Sequence, residues 1–458
     1  MKRLTRRQFI KTAAAAMPMA AVGCRLTAAQ ALPKRPNIVF VFADQMRGQA
    51  MGCMGNTQVI TPHLDQLASE GLLVTNAISC QPVCSPYRAQ LLTGRYGHAT
   101  GVIYNDIRLP DSEVVFSELM KGQGYTTGYI GKWHLSGNRA NPVDAKSRRG
   151  WDFWAVRNCS HRHLTPEYWL NDDKESIKVP GWEPDVQTDL AVQFIKKNSQ
   201  VPFCLFLSFG PPHNPYKAPE KYVEMYRDKT LVDRPNVPKA NTERLREYYA
   251  MTTSLDHCVG RISDALDEAG VSEDTIVVFT SDHGDMLGSQ GHRLKQRPWE
   301  ESINIPFIIR HPRKIKGGQR RDWIVSSVDV MPTLLGLCDV SIPSEVQGQD
   351  YSSTFVGESR EERDAAFLFN VHAGAGPGTD WRGIRTKAWT YAYHVSGDWV
   401  LYDLKNDPYQ LNNLINDPKF SAKKKELRGQ LDAMRNSLGE SLPLKGKNPA
   451  PIRLPNRL

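Results

Sequence analysis

Cys84-Ser85-Pro86-Tyr87-Arg88 runs directly into Ala89-Gln90-Leu91-Leu92-Thr93-Gly94-Arg95, a spacing that suits stabilisation of negative charge. Ser85 followed by Pro86 reads as a helix N-cap with proline at the first helical position. That would put Cys84 at the positive end of a helix, where free N–H groups favour an anion. Arg88 is four residues on and falls on the same helical face. A tetrahedral oxyanion at residue 84 would then meet a dipole and a guanidinium together. A cysteine ahead of a helix is most simply a small buried apolar residue; the surrounding pattern argues for chemistry instead.

Other reactive groups follow short apolar runs. Residues 37–43 lead to Asp44 and Gln45, 127–131 to Lys132 and His134, 202–209 to His213, and 275–280 to Asp282 and His283; Lys295 comes later, ahead of Trp299-Glu300-Glu301-Ser302. Hard oxygen donors suit Ca²⁺, so Asp44 and Asp282, joined by Gln45 and His283, form the candidate metal set. The imidazole also admits Mn²⁺ or Zn²⁺. Each of these residues alone is an ordinary loop residue; their delivery by four strand ends into one crevice is hard to reconcile with packing alone. Apolar runs ending in polar residues are the layout of a parallel α/β sheet with ligands at its carboxyl ends.

The same pattern places the remaining elements. Helices are predicted from Thr61-Pro62 to Gly71 and over about 111–121, 186–197 and 242–269, with residues 305–309 as a core strand. From about residue 345 the rhythm changes to short antiparallel strands over 381–386, 390–394 and 399–403, followed by a helix over 423–438. This divides the chain into a leader (1–31), a catalytic domain (32–344) and a C-terminal subdomain (345–458). Residues 374–378 read as a flexible loop at the pocket mouth.

The N-terminus carries Arg6-Arg7 before an alanine-rich run too short to span a bilayer, which reads as a twin-arginine export signal using the Tat translocase. Ala29-Gln30-Ala31 offers a cleavage site, giving a periplasmic or secreted product; Cys24 after Ala21-Val22-Gly23 is a weaker lipoprotein alternative. The formal charge of +9 includes six basic residues and no acid within residues 1–31. The remainder is close to neutral, which argues against a nucleic-acid partner. Eight cysteines without close repeated spacing indicate neither a zinc framework nor a disulfide scaffold.

Taken together, Cys84-x-Pro86-x-Arg88 with Leu92-Thr93-Gly94-Arg95, Gly131-Lys132-Trp133-His134, Pro212-His213-Asn214-Pro215, Ser281-Asp282-His283-Gly284-Asp285 and Leu401-Tyr402-Asp403-Leu404 with Asp407-Pro408 resemble the sulfatase family, formylglycine-dependent members of the alkaline phosphatase superfamily. The resemblance implies a large, mostly parallel central sheet with helices on both faces, plus a small C-terminal antiparallel sheet with a helix. It implies that Cys84 is oxidised to Cα-formylglycine by a formylglycine-generating enzyme or an anaerobic maturase, and that the hydrate attacks a sulfate monoester beside Ca²⁺.

Carried over by residue, Lys132 and Lys295 would bind sulfate oxygens and Arg88 would orient residue 84. His134 would take a proton from the sulfated intermediate, and His213 would protonate the leaving oxygen. Gln45 and His283 depart from the family's common Asp-Asp and Asp-Asn pairs, and Tyr87 stands where a small residue is usual. A phosphonate monoester or phosphodiester hydrolase, and a catalytically silent glycan-binding protein, are the alternative expectations. The 151–182 segment, with Trp154, His161, Arg162, His163 and Tyr168, is expected to face a sugar, helped by Asn105, Asp106 and His372.

Overall fold

The computed structural model describes residues 2–18, 35–137, 142–372 and 380–445. Eight central strands position the site: β1 (Asn37–Asp44), β2 (Leu72–Ile78), β3 (Thr126–Lys132), β4 (Phe153–Arg157), β5 (Phe203–Pro212), β6 (Thr275–Ser281), β7 (Phe307–Arg310) and β8 (Gln319–Ser326). They lie in one large sheet in the order β4-β3-β5-β1-β6-β7-β2, with β8 also against β2. From β4 to β6 every neighbour is parallel, whereas β7 runs antiparallel to β6 and β2. β1, β5 and β6 are buried along their whole length, which is why they read as unbroken apolar runs rather than alternating ones.

Apolar clusters fill both faces of the sheet. One face is covered by α2 (Pro62–Glu70), α4 (Glu183–Asn198) and the long α5 (Thr242–Glu268), numbering as α1 the N-terminal Arg6–Ala16 and as α3 the Cys84–Thr93 helix. The fold is therefore the expected one, with differences of detail. The helix predicted from residue 111 begins at Phe116. Residues 110–113 form a turn held by Arg149, which donates to the carbonyls of Pro110 and Glu113. The core strand at 305–309 is split at Pro306 into Asn304–Ile305 and β7, because proline cannot donate to a ladder. Four strands form the second sheet, β9 (Ala365–Asn370), β10 (Trp381–Thr386), β11 (Trp389–His394) and β12 (Gly397–Asp403), all antiparallel, with α6 (Ser421–Ser437) packed on it. β9 has no counterpart in the sequence reading.

Helix α1 is capped by Thr5 in a reciprocal box with Gln8. Phe9, Ala13 and Met17 are buried, Phe9 stacks on Tyr168 at 5.4 Å, and Arg6 pairs with Asp189 at 2.5 Å. Among the described residues no helix is long and apolar enough to cross a membrane. Cys24, the 29–31 cleavage site and the 374–378 loop lie outside the described residues.

Candidate active site

The carboxyl ends of β1, β5 and β6 lie side by side at one end of the sheet, the place where α/β sheets bind their ligands. β1 ends at Asp44 and the chain turns sharply at Gln45, whose φ of 69° is left-handed. β6 delivers Asp282 and His283. β5 leads to His213, and β3 leads through Lys132 to His134, which also adopts a left-handed φ of 59°. Non-glycine residues in this region carry strain that gathers at functional sites.

Cys84 is the first residue of α3, and Val83 rather than Ser85 occupies the N-cap position. The expected cap is corrected for a clear reason: Ser85 Oγ donates 2.7 Å to the carbonyl of His134 and is committed elsewhere. Pro86 is tolerated because N–H groups of the first turn have no intrahelical acceptor. The consequence for residue 84 is unchanged, since it stands at the helix's positive end.

The thiol, marking the place an aldehyde hydrate would occupy, lies 3.3 Å from His283 Nε2, 3.7 Å from Asp44 Oδ1, 3.4 Å from Lys132 Nζ and 3.2 Å from Lys295 Nζ. Burial and Asp44 raise its pKa, but Lys132, Lys295 and His283 outweigh them and hold it well below the usual thiol range. Arg88 reaches past it, donating to Asp282 Oδ2 at 3.2 Å, Ser208 Oγ at 2.8 Å and the Lys132 carbonyl at 2.6 Å. Arg88 thus braces the carboxylates around residue 84.

Asp44, Cys84, Asp282 and His283 are buried, and one donor atom from each lies within 4.8 Å of all the others. Cations hold the outer carboxylate oxygens: Lys132 sits 2.5 Å from Asp44 Oδ2 and Arg88 is on Asp282 Oδ2. The inner Oδ1 atoms face His283 Nε2 at 3.6 and 3.4 Å. Gln45 donates through Nε2 to Asp285 at 2.8 Å, and its buried Oε1 has no hydrogen-bond partner among the described residues. An orphaned carbonyl oxygen beside two carboxylates and an imidazole fits a divalent cation. The crowding also shows electrostatically, because burial and then the Asp44 charge push the Asp282 carboxyl up.

The two catalytic candidates of imidazole type are biased in opposite directions. His134 is desolvated and faces Lys132, yet the 2.9 Å contact with Asp106, helped by Cys159 and Cys84, raises it to about 9. Burial and then Lys295 push His213 well below the usual histidine range. Its Nδ1 contacts the Asn214 carbonyl at 2.7 Å, and its Nε2 meets Lys295 Nζ at 3.0 Å. All ten sequence-predicted residues therefore join one contact network.

The 151–182 segment is only partly where it was expected. Trp154 and Tyr168 are core residues, since Trp154 belongs to β4 and packs against Trp133. His161 does belong to the site, its ring stacked on His213 at 3.8 Å and 6°, while His163 braces the His213 carbonyl at 2.9 Å. Cys159 was not anticipated. Burial raises its pKa, but Lys132, His134 and His161 bring it down to about 5; no motif surrounds it, so only the fold reveals it.

The family model for sulfatases matches residues 36–340, and that for the C-terminal part of N-sulphoglucosamine sulphohydrolase matches residues 288–437. An ulvan-active sulfatase of Formosa agariphila is 40% identical over 89% of this chain and 82% of its own length. An endo-4-O-sulfatase of Bacteroides thetaiotaomicron is 34% identical over 86% and 91%. A solved Bacteroides fragilis chain assigned as the sulfatase yidJ superposes with a TM-score of 0.84 at 33% identity, covering 90% of this chain and 98% of that one. A buried cysteine ringed by carboxylates, lysines and imidazoles at the end of such a sheet completes the case: the chain belongs to the sulfatase family of the alkaline phosphatase superfamily and is a sulfuric ester hydrolase.

Proposed function

We propose that the protein is an exported sulfatase that hydrolyses a sulfate monoester on a sulfated glycan, releasing the alcohol and sulfate. The observation that carries this reading is Cys84 at a helix N-terminus, between Lys132 and Lys295 and against the Asp44–Asp282–His283 cluster. The glycan follows the ulvan-active and endo-4-O-sulfatase relatives, together with the exposed basic side chain of Arg162.

A divalent cation, Ca²⁺ first and Mn²⁺ or Zn²⁺ second, would be held by Asp44, Gln45, Asp282 and His283 and would neutralise sulfate charge, while Cα-formylglycine at residue 84 would supply an oxygen nucleophile. The chain's own side chains do the rest. Lys132 and Lys295 bind the non-bridging oxygens, preorganised because carboxylate and imidazole partners already fix their positions. Arg88 holds the carboxylates and the first turn of α3 in register. His213, beside Lys295, delivers a proton to the leaving oxygen; the arriving sulfate adds the negative charge that lets its imidazole hold one. His134, with Asp106, manages the proton at residue 84 during release of sulfate.

The Tat route, maturation of Cys84 by a formylglycine-generating or anaerobic maturase enzyme, and the leader–catalytic–C-terminal division at 31 and 344 belong to the same proposal. Protein co-produced with a maturase should be about 18 Da lighter at residue 84, lose activity on chelation and regain it with Ca²⁺. It should cleave aryl sulfates and sulfated oligosaccharides. Turnover confined to aryl phosphonates would instead identify the phosphonate hydrolase, and an unmodified thiol with saccharide binding alone would identify the silent binder.

A further inference from the structure

Asp285 follows Asp282 by three residues, is closed off from water, and has no part in the chemistry described above. A buried carboxylate is costly unless its lone pairs are used. Here four donors converge on it. Gln45 Nε2 at 2.8 Å and Tyr216 Oη at 2.6 Å donate to Oδ2, while the Leu287 and Leu294 N–H groups donate to Oδ1 at 2.9 and 3.2 Å. Arg47 adds its field.

This donor set explains the residue type. An ionised carboxylate only accepts, whereas an asparagine must offer an NH₂ group to one of the two pairs. The pair on Oδ1 is fixed by backbone, since the Met286 N–H donates 2.7 Å to the Leu294 carbonyl and Leu287 and Leu294 both hold left-handed φ angles, 46° and 63°. A side chain at 285 that keeps an oxygen on those N–H groups turns its other atom to Gln45.

Gln45 itself is held on every side. Its N–H donates to Asp282 Oδ1 at 3.0 Å and its carbonyl accepts from Tyr248 Oη at 2.9 Å. Its side-chain NH₂ reaches Asp285 and, at 3.4 Å, Asn214 Oδ1. The amide nitrogen is therefore committed, and Oε1 is the atom without a partner among the described residues. A flipped amide has nearly the same shape but exchanges donor for acceptor, and a hard cation takes only the oxygen.

We propose that Asp285 is a positioning residue that selects the flip of the Gln45 amide, so that Oε1 rather than Nε2 is offered to the divalent cation. The proposal rests on the reading of Asp44, Gln45, Asp282 and His283 as metal ligands, whereas the choice of flip rests on the hydrogen bonds to Asp285 alone.

The test is calorimetric titration of Ca²⁺ into the full chain, co-produced with a maturase, stripped of metal and free of substrate. Asp285→Asn should weaken Ca²⁺ binding at least about tenfold, as loss of a group that orients a metal ligand does. In a Gln45→Ala background, with no amide left to orient, the same substitution should cost about twofold or less. An equally large loss there would mean that Asp285 acts through its charge or through folding, and would overturn the positioning role. So would an Asp285→Asn chain that binds Ca²⁺ as its parent does. Gln45→Glu leaves Asp285 intact and reads the same contact even where Asp285→Asn fails to fold. It turns an oxygen in place of Nε2 toward Asp285 Oδ2, so the added charge should bring no gain in affinity; tighter binding than the parent would also overturn the proposal. A parent chain that takes up neither Ca²⁺, Mn²⁺ nor Zn²⁺ would sink the metal reading and this proposal with it, whereas normal uptake with unaltered variants would sink the proposal alone.

Discussion

Lys132 Nζ stands 2.5 Å from Asp44 Oδ2, with both side chains almost wholly removed from water. Burial opposes both charges, yet each is held by the other: the Asp44 carboxyl is kept well below its usual range and the Lys132 ammonium is pushed up. Removing one partner of a buried pair strands the other, at about 3–5 kcal/mol. Lys132→Met should therefore lower stability by that order in chemical denaturation as well as abolish turnover. A fully stable Lys132→Met protein would show that the pair is not closed in solution.

The contact of His134 with Asp106 sets an alkaline limit on stability. A histidine raised from its ordinary 6.5 to about 9 is cationic below that value and neutral above it, so the stability it contributes is complete below about 6.5 and is lost as pH rises through about 9. Asp106→Asn removes the principal carboxylate partner and, because His134 must be neutral to take a proton, should move the rising acidic limb of the kcat profile to lower pH. An unmoved limb would assign it to another group.

Cys159 should react with iodoacetamide in a manner set by its neighbours. With a pKa of about 5, its thiolate fraction is saturated above roughly pH 6, so alkylation there should be flat with pH. Cys80, Cys204, Cys258 and Cys338 are buried with raised pKa values and should remain unlabelled in the folded protein. Peptide mapping of the Cys84→Ala chain gives the answer, and a labelling rate rising steadily to pH 9 would contradict it.

Gly131 carries φ of 109°, and a Cβ there would fall 2.0 Å from the Ser208 carbonyl oxygen. Because β3 and β5 are adjacent at that point, Gly131→Ala must either part the strands or rotate Lys132 out of the site. We expect a loss of about 1–3 kcal/mol and a larger loss in kcat/KM, measured by thermal unfolding alongside aryl sulfate kinetics. Unchanged kinetics would show that β3 tolerates the shift.

The sequence by itself determined the cysteine at the start of a helix, the four strand ends and the set of cations and carboxylates, because each is a local pattern: a helix signal, or an apolar run long enough to be buried on both faces followed by a residue type with distinctive chemistry. It could not supply β9 or the cap at Val83, where the deciding partner, His134 for the Ser85 hydroxyl, lies about fifty residues away. Nor could it place Trp154 and Tyr168 in the core rather than at a sugar, since an aromatic residue looks alike in either setting until a neighbouring strand covers it. Tertiary structure alone decided that Cys159 would face Lys132 and His134, that His161 would stack on His213, and that the Gln45 amide would turn to Asp285. Each depends on the electric field or the contacts supplied by segments remote in the chain, and these exist only once the sheet has closed around them.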